Sequence, residues 1–427
     1  MTEVKKKKRR RRRKYKLVLP WKQNTAQTGR KTVRRKKRRL KLKKEVWLAL
    51  AGVVAVLLLI LVPRAVDNSK LKKLGYKKDE IAAIREQKLT RTLLDNEWYS
   101  PYLAQSIKAG TLDTDYLELY TVVSPERGLA AKDFLLYNRL LDKGYVDKQL
   151  LNLFKNLKYW EMTPLLVFDY QYDETMYIND CTNHRETNSE NNFVLDGNYY
   201  TFYENTLPVD DANNVNMLVN KTYYLDGSYV PPQLTDLSIQ YAATDRQLAQ
   251  VAADGLADWC NAGRNVGVTF YATSAYRSYE SQETLYRNYV GVYGEAQTDL
   301  LSARPGFSEH QTGYTVDIAA THEDDIDEFK DTLAYRWTSI NSPDYGWILR
   351  YPAGKECITG YEFESWHYRY LGVDLARAVY ASGMTYDEFY CLYLKPWNGE
   401  GENKPKDSIL EASDWHTLIA AEASETE

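Results

Sequence analysis

The chain has 427 residues, room for two or three domains. Its formal net charge of −2 conceals a sharp split: residues 1–44 hold 23 Lys and Arg against one acid, leaving 33 basic and 57 acidic residues for the rest. That asymmetry excludes one uniform environment for the whole chain. The spacings of Cys181, Cys260, Cys357 and Cys391 contain no CxxC, which excludes a cysteine-based zinc cluster.

From the N-terminus, the basic runs Lys5–Lys14 and Arg30–Lys44 lack apolar periodicity and predict a disordered tail over 1–44. Such runs can bind nucleic acid, but the next stretch argues for another role, and no nucleic-acid partner is expected. Val46–Val62 is an unbroken apolar run, about 26 Å long as a helix and just enough for a bilayer core. A transmembrane helix is expected over 45–63. The preceding segment is too long for a signal peptide, and no small-x-small cleavage site follows. Lys43 and Lys44 put the N-terminus in the cytoplasm and the remainder outside by the positive-inside rule. The tail then holds anionic membrane lipid.

Residues 64–165 read as a helical repeat spacer. Leu93-Leu-Asp95 recurs as Leu140-Leu-Asp142, and at the same offset Leu103 matches Leu150 and Ile107 matches Phe154. Two arrangements stay open: a stalk or wall-binding module that holds the next domain off the membrane, or a helical extension packed on that domain. Residues 166–214 are rich in Tyr, Asn, Thr and Asp and predict a connector of short strands and loops. Thr244-x-x-Gln247 reads as a capping box opening a helix to about Gly263. Val268–Tyr276 reads as a strand that delivers Arg277 at its end. A helix is predicted over 279–293, carrying Gln282 on either a solvated or a substrate-facing side. A strand follows over 314–319, a helix over 325–337, strands over 347–351 and 360–363, and a helix over 371–382. The acidic stretch 396–427 predicts a disordered tail.

Two segments carry the chemistry: Ser308-Glu-His-Gln-Thr-Gly-Tyr-Thr-Val-Asp317 and Glu364-Ser-Trp-His367. Catalytic zinc usually keeps three protein ligands and one open position for water. His310, Asp317 and His367 fill that set, leaving Glu364 to handle the proton. The offset of three between Glu364 and His367 does not suit one face of a strand, so the pair belongs on a helical turn or straddles a strand end. His322 is a further candidate ligand, but Glu323, Asp324 and Asp325 beside it suggest a solvated cap. Ser69-Lys-Leu-Lys72 formally fits a serine peptidase motif, but it lies against the membrane helix and no partner motif accompanies it.

The flanks of these segments resemble the VanY-type D-alanyl-D-alanine carboxypeptidases. The resemblance rests on Ser308-x-His310-x-x-Gly313 with Asp317, Glu364-x-Trp366-His367-Tyr-Arg-Tyr, Ser274-Ala-Tyr-Arg-Ser278 and Tyr345-Gly-Trp-Ile-Leu-Arg-Tyr-Pro352. It covers roughly residues 215–395, taken as the catalytic domain. Where that family mostly has Ala and Pro, this chain has Thr315 and Ser365; neither change removes a ligand. The resemblance implies an α+β fold with a small central antiparallel sheet flanked by helices, a Zn2+ cofactor and cleavage of peptidoglycan stem peptides. By motif match Arg277 binds substrate and stabilises charge on the attacked carbonyl. Ser308 either contacts substrate or braces its loop. The expected activity is removal of the C-terminal D-Ala, with L,D-carboxypeptidase action or a non-catalytic wall-binding role as alternatives.

Overall fold

The computed structural model describes residues 43–168, 173–187, 203–320 and 326–395. The basic tail up to residue 42, the whole acidic tail 396–427 and His322 lie outside the described residues. The chain divides into two compact units with the boundary between Ala65 and Val66.

That boundary falls inside helix α1 (Lys44–Leu74). Every side chain from Val46 to Val62 is exposed, the reverse of a soluble core helix, and α1 is long and apolar enough to cross a membrane. The expected end at 63 is overrun. Pro63 costs the helix one ladder hydrogen bond, but Arg64, Ala65 and the Lys- and Leu-rich residues to Leu74 are good helix formers and carry the coil on.

Among the described residues of the second unit, eight short helices precede the sheet-bearing region: α2 (Lys78–Glu86), α3 (Thr90–Asp95), α4 (Pro101–Ala109), α5 (Leu117–Val122), α6 (Ala131–Asp142), α7 (Asp147–Asn156), α8 (Tyr159–Val167) and α9 (Glu174–Thr187). The matched residues Leu93 and Leu140, Leu103 and Leu150, and Ile107 and Phe154 are all fully buried. Helix α9 corrects the expected strand-and-loop connector over Glu174–Thr187, whereas Leu207–Pro208 near its end is a short strand paired with Tyr223–Tyr224. Its composition is polar, but Tyr177 and Cys181, one turn apart, both face the core, and the Tyr177 hydroxyl donates to the Glu161 carbonyl at 2.6 Å. These helices do not stand apart. Leu136, Leu140, Leu165 and Leu166 share one apolar core with Ile348, Ile358, Leu375, Phe389 and Leu392. The module is therefore packed on the sheet-bearing region.

The C-terminal region is built on a four-stranded sheet of β1 (Tyr271–Ser274), β2 (Thr315–Ala319), β3 (Trp347–Tyr351) and β4 (Glu364–Tyr370), in the order β1-β2-β4-β3 with every pair antiparallel. Helix α10 (Gln250–Asn265) covers one face. Its Trp259 packs on Phe270, Tyr368 and Trp347 with ring centroids 4.7, 5.0 and 5.9 Å away. Helix α11 (Tyr279–Tyr293) spans the predicted residues. The expected α+β class with a small antiparallel sheet is present.

Three local expectations need correction. Gln247–Ala249 is a short strand paired with Leu234–Asp236, so the helix expected from Thr244 starts only at Gln250. The helix expected over 325–337 splits into a 3-10 turn (Ile326–Asp331) and a helix α12 (Leu333–Asn341). Thr332 accepts the Tyr335 N–H and restarts the coil there. Residues 360–363 bend without pairing into the sheet, and the strand begins at Glu364.

Candidate active site

Asp317 sits in the middle of β2 between two neighbours, opposite Ser274 on β1 and opposite His367 on β4. Residues directly opposite in an antiparallel pair have Cβ atoms about 5 Å apart, so the carboxylate and imidazole meet. Asp317 Oδ1 lies 3.2 Å from His367 Nδ1. His310 arrives from a 3-10 turn (Glu309–Thr312) closed by Gly313 at φ 72°. A side chain at 313 would be strained at that φ, and its Cβ would lie 2.8 Å from Pro231. The turn feeds directly into β2 and aims His310 at Asp317, with Nε2 3.2 Å from Oδ2. The other ring nitrogen, Nδ1, lies 2.7 Å from the Ala275 carbonyl. A carbonyl only accepts, so Nδ1 carries the proton and the Nε2 lone pair faces the cluster.

One donor atom from each of His310, Asp317 and His367 lies within 4.8 Å of the others, and all three residues are buried. Asp317 Oδ1 has no hydrogen-bond partner of good geometry. An orphaned buried carboxylate oxygen beside two imidazole nitrogens is a donor set that fits a divalent metal. The electrostatics of Asp317 and His310 favour their ligand forms, whereas the carboxylates around His367 favour a proton that a metal would displace. Burial opposes the Asp317 charge, but His310 and His367 outweigh it and hold the carboxyl well below its usual range. Burial pushes the His310 imidazole down, keeping it neutral as a ligand must be. Burial also acts against a charged His367, but Asp317, Glu309 and Glu364 surround it and raise it well above its ordinary value.

Glu364 opens β4, with Oε2 3.2 Å from His367 Nδ1. The offset of three is accommodated by an irregular ladder. Leu349 pairs with Tyr368, but Tyr351 pairs with Glu364, two residues out of that register. Both residues lie within β4, so the expected helical turn or strand-end placement is corrected: the register shift, and not a break in the strand, brings the pair together. Burial pushes the Glu364 carboxyl up, against the pull of His367.

A cavity of about 640 Å³ lies over these residues and is lined by Arg277, Gln282, Ser308, Tyr361, Glu364 and Trp366, among others. Arg277 follows β1, as expected. Its guanidinium donates to Gln282 Oε1 at 2.8 Å and Ser274 Oγ at 2.9 Å, and lies 3.9 Å from Asp317 Oδ2. Gln282 is buried, not on a solvated face. Its amide donates to the Ala303 carbonyl at 2.7 Å, so it fixes Arg277. Ser308 is buried and lines the cavity. The structure thus brings together all seven residues singled out from the sequence.

Sequence reasoning missed two residues. Glu309, fully buried, presents Oε2 to His367 Nε2 at 3.6 Å while Oε1 accepts from Arg350 Nε at 2.8 Å. Its signal was its place beside His310 in a segment otherwise read for ligands. Lys221, also fully buried, donates to the Asp299 and Gly360 carbonyls and lies 4.2 Å from the Tyr361 ring centroid. It braces the turn that forms one cavity wall. Thr315 and Ser365, the departures from the family pattern, are both buried with hydroxyls that lack a hydrogen-bond partner.

A family model described as "VanY: D-alanyl-D-alanine carboxypeptidase" matches residues 245–373. The chain is 33% identical over 216 residues to YodJ of Bacillus subtilis (strain 168), a protein named as a carboxypeptidase, covering 48% of this chain and 79% of the relative. It is 30% identical over 183 residues to the bifunctional D-Ala-D-Ala dipeptidase and D-Ala-D-Ala carboxypeptidase VanXYC of Enterococcus gallinarum, covering 42% of this chain and 94% of the relative. Among solved structures, the LdcB LD-carboxypeptidase is similar at 33% identity and a TM-score of 0.42, covering 44% of this chain and 90% of that one.

Proposed function

Because this chain belongs to the VanY family of D-alanyl-D-alanine carboxypeptidases, we propose that it is a membrane-anchored zinc metallopeptidase that removes the C-terminal D-Ala from peptidoglycan stem peptides. The observation that carries the reading is the buried cluster of His310, Asp317 and His367 with Glu364 against it. His310, through Nε2, Asp317 and His367 would hold the metal. Two imidazoles and a carboxylate also suit ferrous iron, but a neighbouring acid–base carboxylate and the family favour zinc. Held there, zinc would supply Lewis-acid activation of water and of the scissile carbonyl.

The chain's own residues do the rest. Glu364 takes the proton of the attacking water and returns it to the leaving amine; burial raises its carboxyl, which makes it a better proton acceptor than an exposed carboxylate. Arg277, held by Gln282 and Ser274, aims its charge at the carbonyl oxygen as negative charge develops. Ser308 offers a hydroxyl to the substrate from the cavity wall. The cavity has room for a length of peptide and not just for one alanine.

Helix α1 would anchor the chain with the N-terminus in the cytoplasm, the basic tail against anionic lipid, and the catalytic region on the wall side. The helical module then lies between anchor and sheet along the chain.

Mass spectrometry after incubating the detergent-solubilised full chain with penta- and tetrapeptide stems tests the activity, and elemental analysis of the same sample tests the metal. Loss of one alanine from the pentapeptide, abolished by a chelator and restored by zinc, supports the reading. Loss from the tetrapeptide alone would replace it with L,D-carboxypeptidase action. Zinc bound without cleavage of either peptide would turn it into a wall-binding role.

A further inference from the structure

We propose that the helical module is a positioning element of the active site: by gripping the segment Tyr386–Leu394 it sets, through Asp387, Arg350 and Glu309, where His367 stands. The proposal rests on the reading of His367 as a metal ligand and adds a dependence on residues far outside the cavity.

The chain of contacts is continuous and buried. His367 turns Nδ1 to Asp317 and Glu364, and Nε2 to Glu309. At 3.6 Å the Nε2 to Glu309 Oε2 approach is an electrostatic contact, too long for a hydrogen bond, and neither atom has another hydrogen-bond partner. Glu309 is in turn fixed by two arginines: Arg350 Nε at 2.8 Å and Arg369 Nη1 at 3.3 Å, both on Oε1. Arg350 spends the other side of its fork on Asp387, with Nη1 2.5 Å from Oδ2 and Nη2 3.1 Å from Oδ1. Asn220 completes the carboxylate by donating to Oδ1 at 2.9 Å. Arg350, Arg369, Glu309 and Asp387 are each 2% exposed or less, two cations against two anions. Without Asp387, Arg350 has only Glu309 to balance it, and the carboxylate facing His367 is drawn away from the imidazole. Partners behind a metal-ligating histidine orient its ring and tune its basicity, and losing one commonly costs 10- to 100-fold in metal affinity.

Asp387 is held by the helical module. It lies in the turn Tyr386–Phe389, which continues into Tyr390–Leu394. Helix α8 packs on the first of these and α6 on the second. Arg139 of α6, itself buried, donates from Nε to the Leu392 carbonyl at 2.9 Å. Phe389 and Leu392 are fully buried in the core shared with the module. A shift of the module therefore moves Asp387, and the rigid arginine fork transmits the shift to Glu309.

The test uses the full chain in detergent, stripped of metal and titrated with Co2+, reading the dissociation constant by chelator competition and the visible ligand-field bands. Asp387→Asn and Arg139→Gln should each weaken cobalt binding by about tenfold and change the band shape. Arg139→Lys, which keeps a donor for the Leu392 carbonyl, should restore most of the affinity. Ile84→Val on α2, buried in the module but remote from the segment, serves as the control. It should lower the melting temperature with an unchanged dissociation constant. Wild-type affinity and bands in both Asp387→Asn and Arg139→Gln, whatever their melting temperatures, would overturn the proposal. A wild-type chain that takes up no cobalt would instead remove the metal reading beneath it.

Discussion

Glu364 pairs with Tyr351 two residues out of the register that Leu349 and Tyr368 set, and at this slip Glu364 and His367 come within 3.2 Å of each other. In a regular strand, residues three apart point to opposite sides. The irregular ladder lets one strand supply both a metal-ligand candidate and an acid–base candidate. Glu364→Ala should therefore keep the metal, because His310, Asp317 and His367 are untouched, while the turnover number falls by about 10²- to 10⁴-fold. His310→Ala and His367→Ala should lose the metal itself. Elemental analysis beside steady-state kinetics separates the two classes, and wild-type turnover in Glu364→Ala would remove its assigned role.

Arg277 touches the cavity but not the cluster's inner atoms, with 3.9 Å to Asp317 Oδ2. Arg277→Gln should retain stoichiometric metal and lose about 10²- to 10³-fold in kcat. Gln282→Leu should act in the same direction more weakly, since it leaves the guanidinium in place but frees its fork from the 2.8 Å tether. An Arg277→Gln variant altered only in KM would assign the residue to ground-state binding.

Thr315 is fully buried on the central strand β2, and its hydroxyl has no partner. An unsatisfied buried hydroxyl costs about 1–3 kcal/mol, and Val keeps the shape and the strand preference. Thr315→Val should stabilise the chain by about 1 kcal/mol with activity retained, read as a higher urea midpoint at constant slope. A lower midpoint would mean that the hydroxyl is hydrogen-bonded in solution.

All four cysteines are buried. Burial pushes the Cys391 thiol up to about 11 and those of Cys260 and Cys357 up to about 12. The folded state thus keeps the neutral thiols, while an unfolded chain ionises them near 8.5. Their contribution to stability is fully present below about pH 8.5 and falls as the pH climbs towards 11 and 12. A thiol reagent at pH 8 should leave the native chain unmodified and label four sites in denaturant. Cys391→Ala should flatten the decline of stability between pH 9 and 10. An unchanged slope would show that Cys391 ionises alike in both states.

What was legible in the sequence was whatever a short motif or a strong period encodes. The strand Trp347–Tyr351 and the helix Tyr279–Tyr293 stand over the residues read for them from the sequence. The residues His310, Asp317, His367, Glu364 and Arg277 converge because motif order preserves the register of β1, β2 and β4. What stayed hidden depends on contacts across long separations. Helix α9 is polar in composition and is fixed by Tyr177 and Cys181 meeting a core built from distant segments. Gln282 looks like a solvated helix residue until Ala303 and Arg277 close on it. Glu309 gains its meaning from Arg350 and Arg369, 41 and 60 positions away.

The single apolar core that joins Leu136 and Leu165 to Ile348, Leu375 and Phe389 has a consequence for heredity as well as for stability. A chain cut before residue 203 would present the catalytic region with one wall of its interior turned outwards, an adhesive surface in place of a finished one. Loss of the helical module during descent must therefore be accompanied by polar replacements along that wall. Its gain must have been accompanied by apolar ones. The two halves of this core are bound to change together.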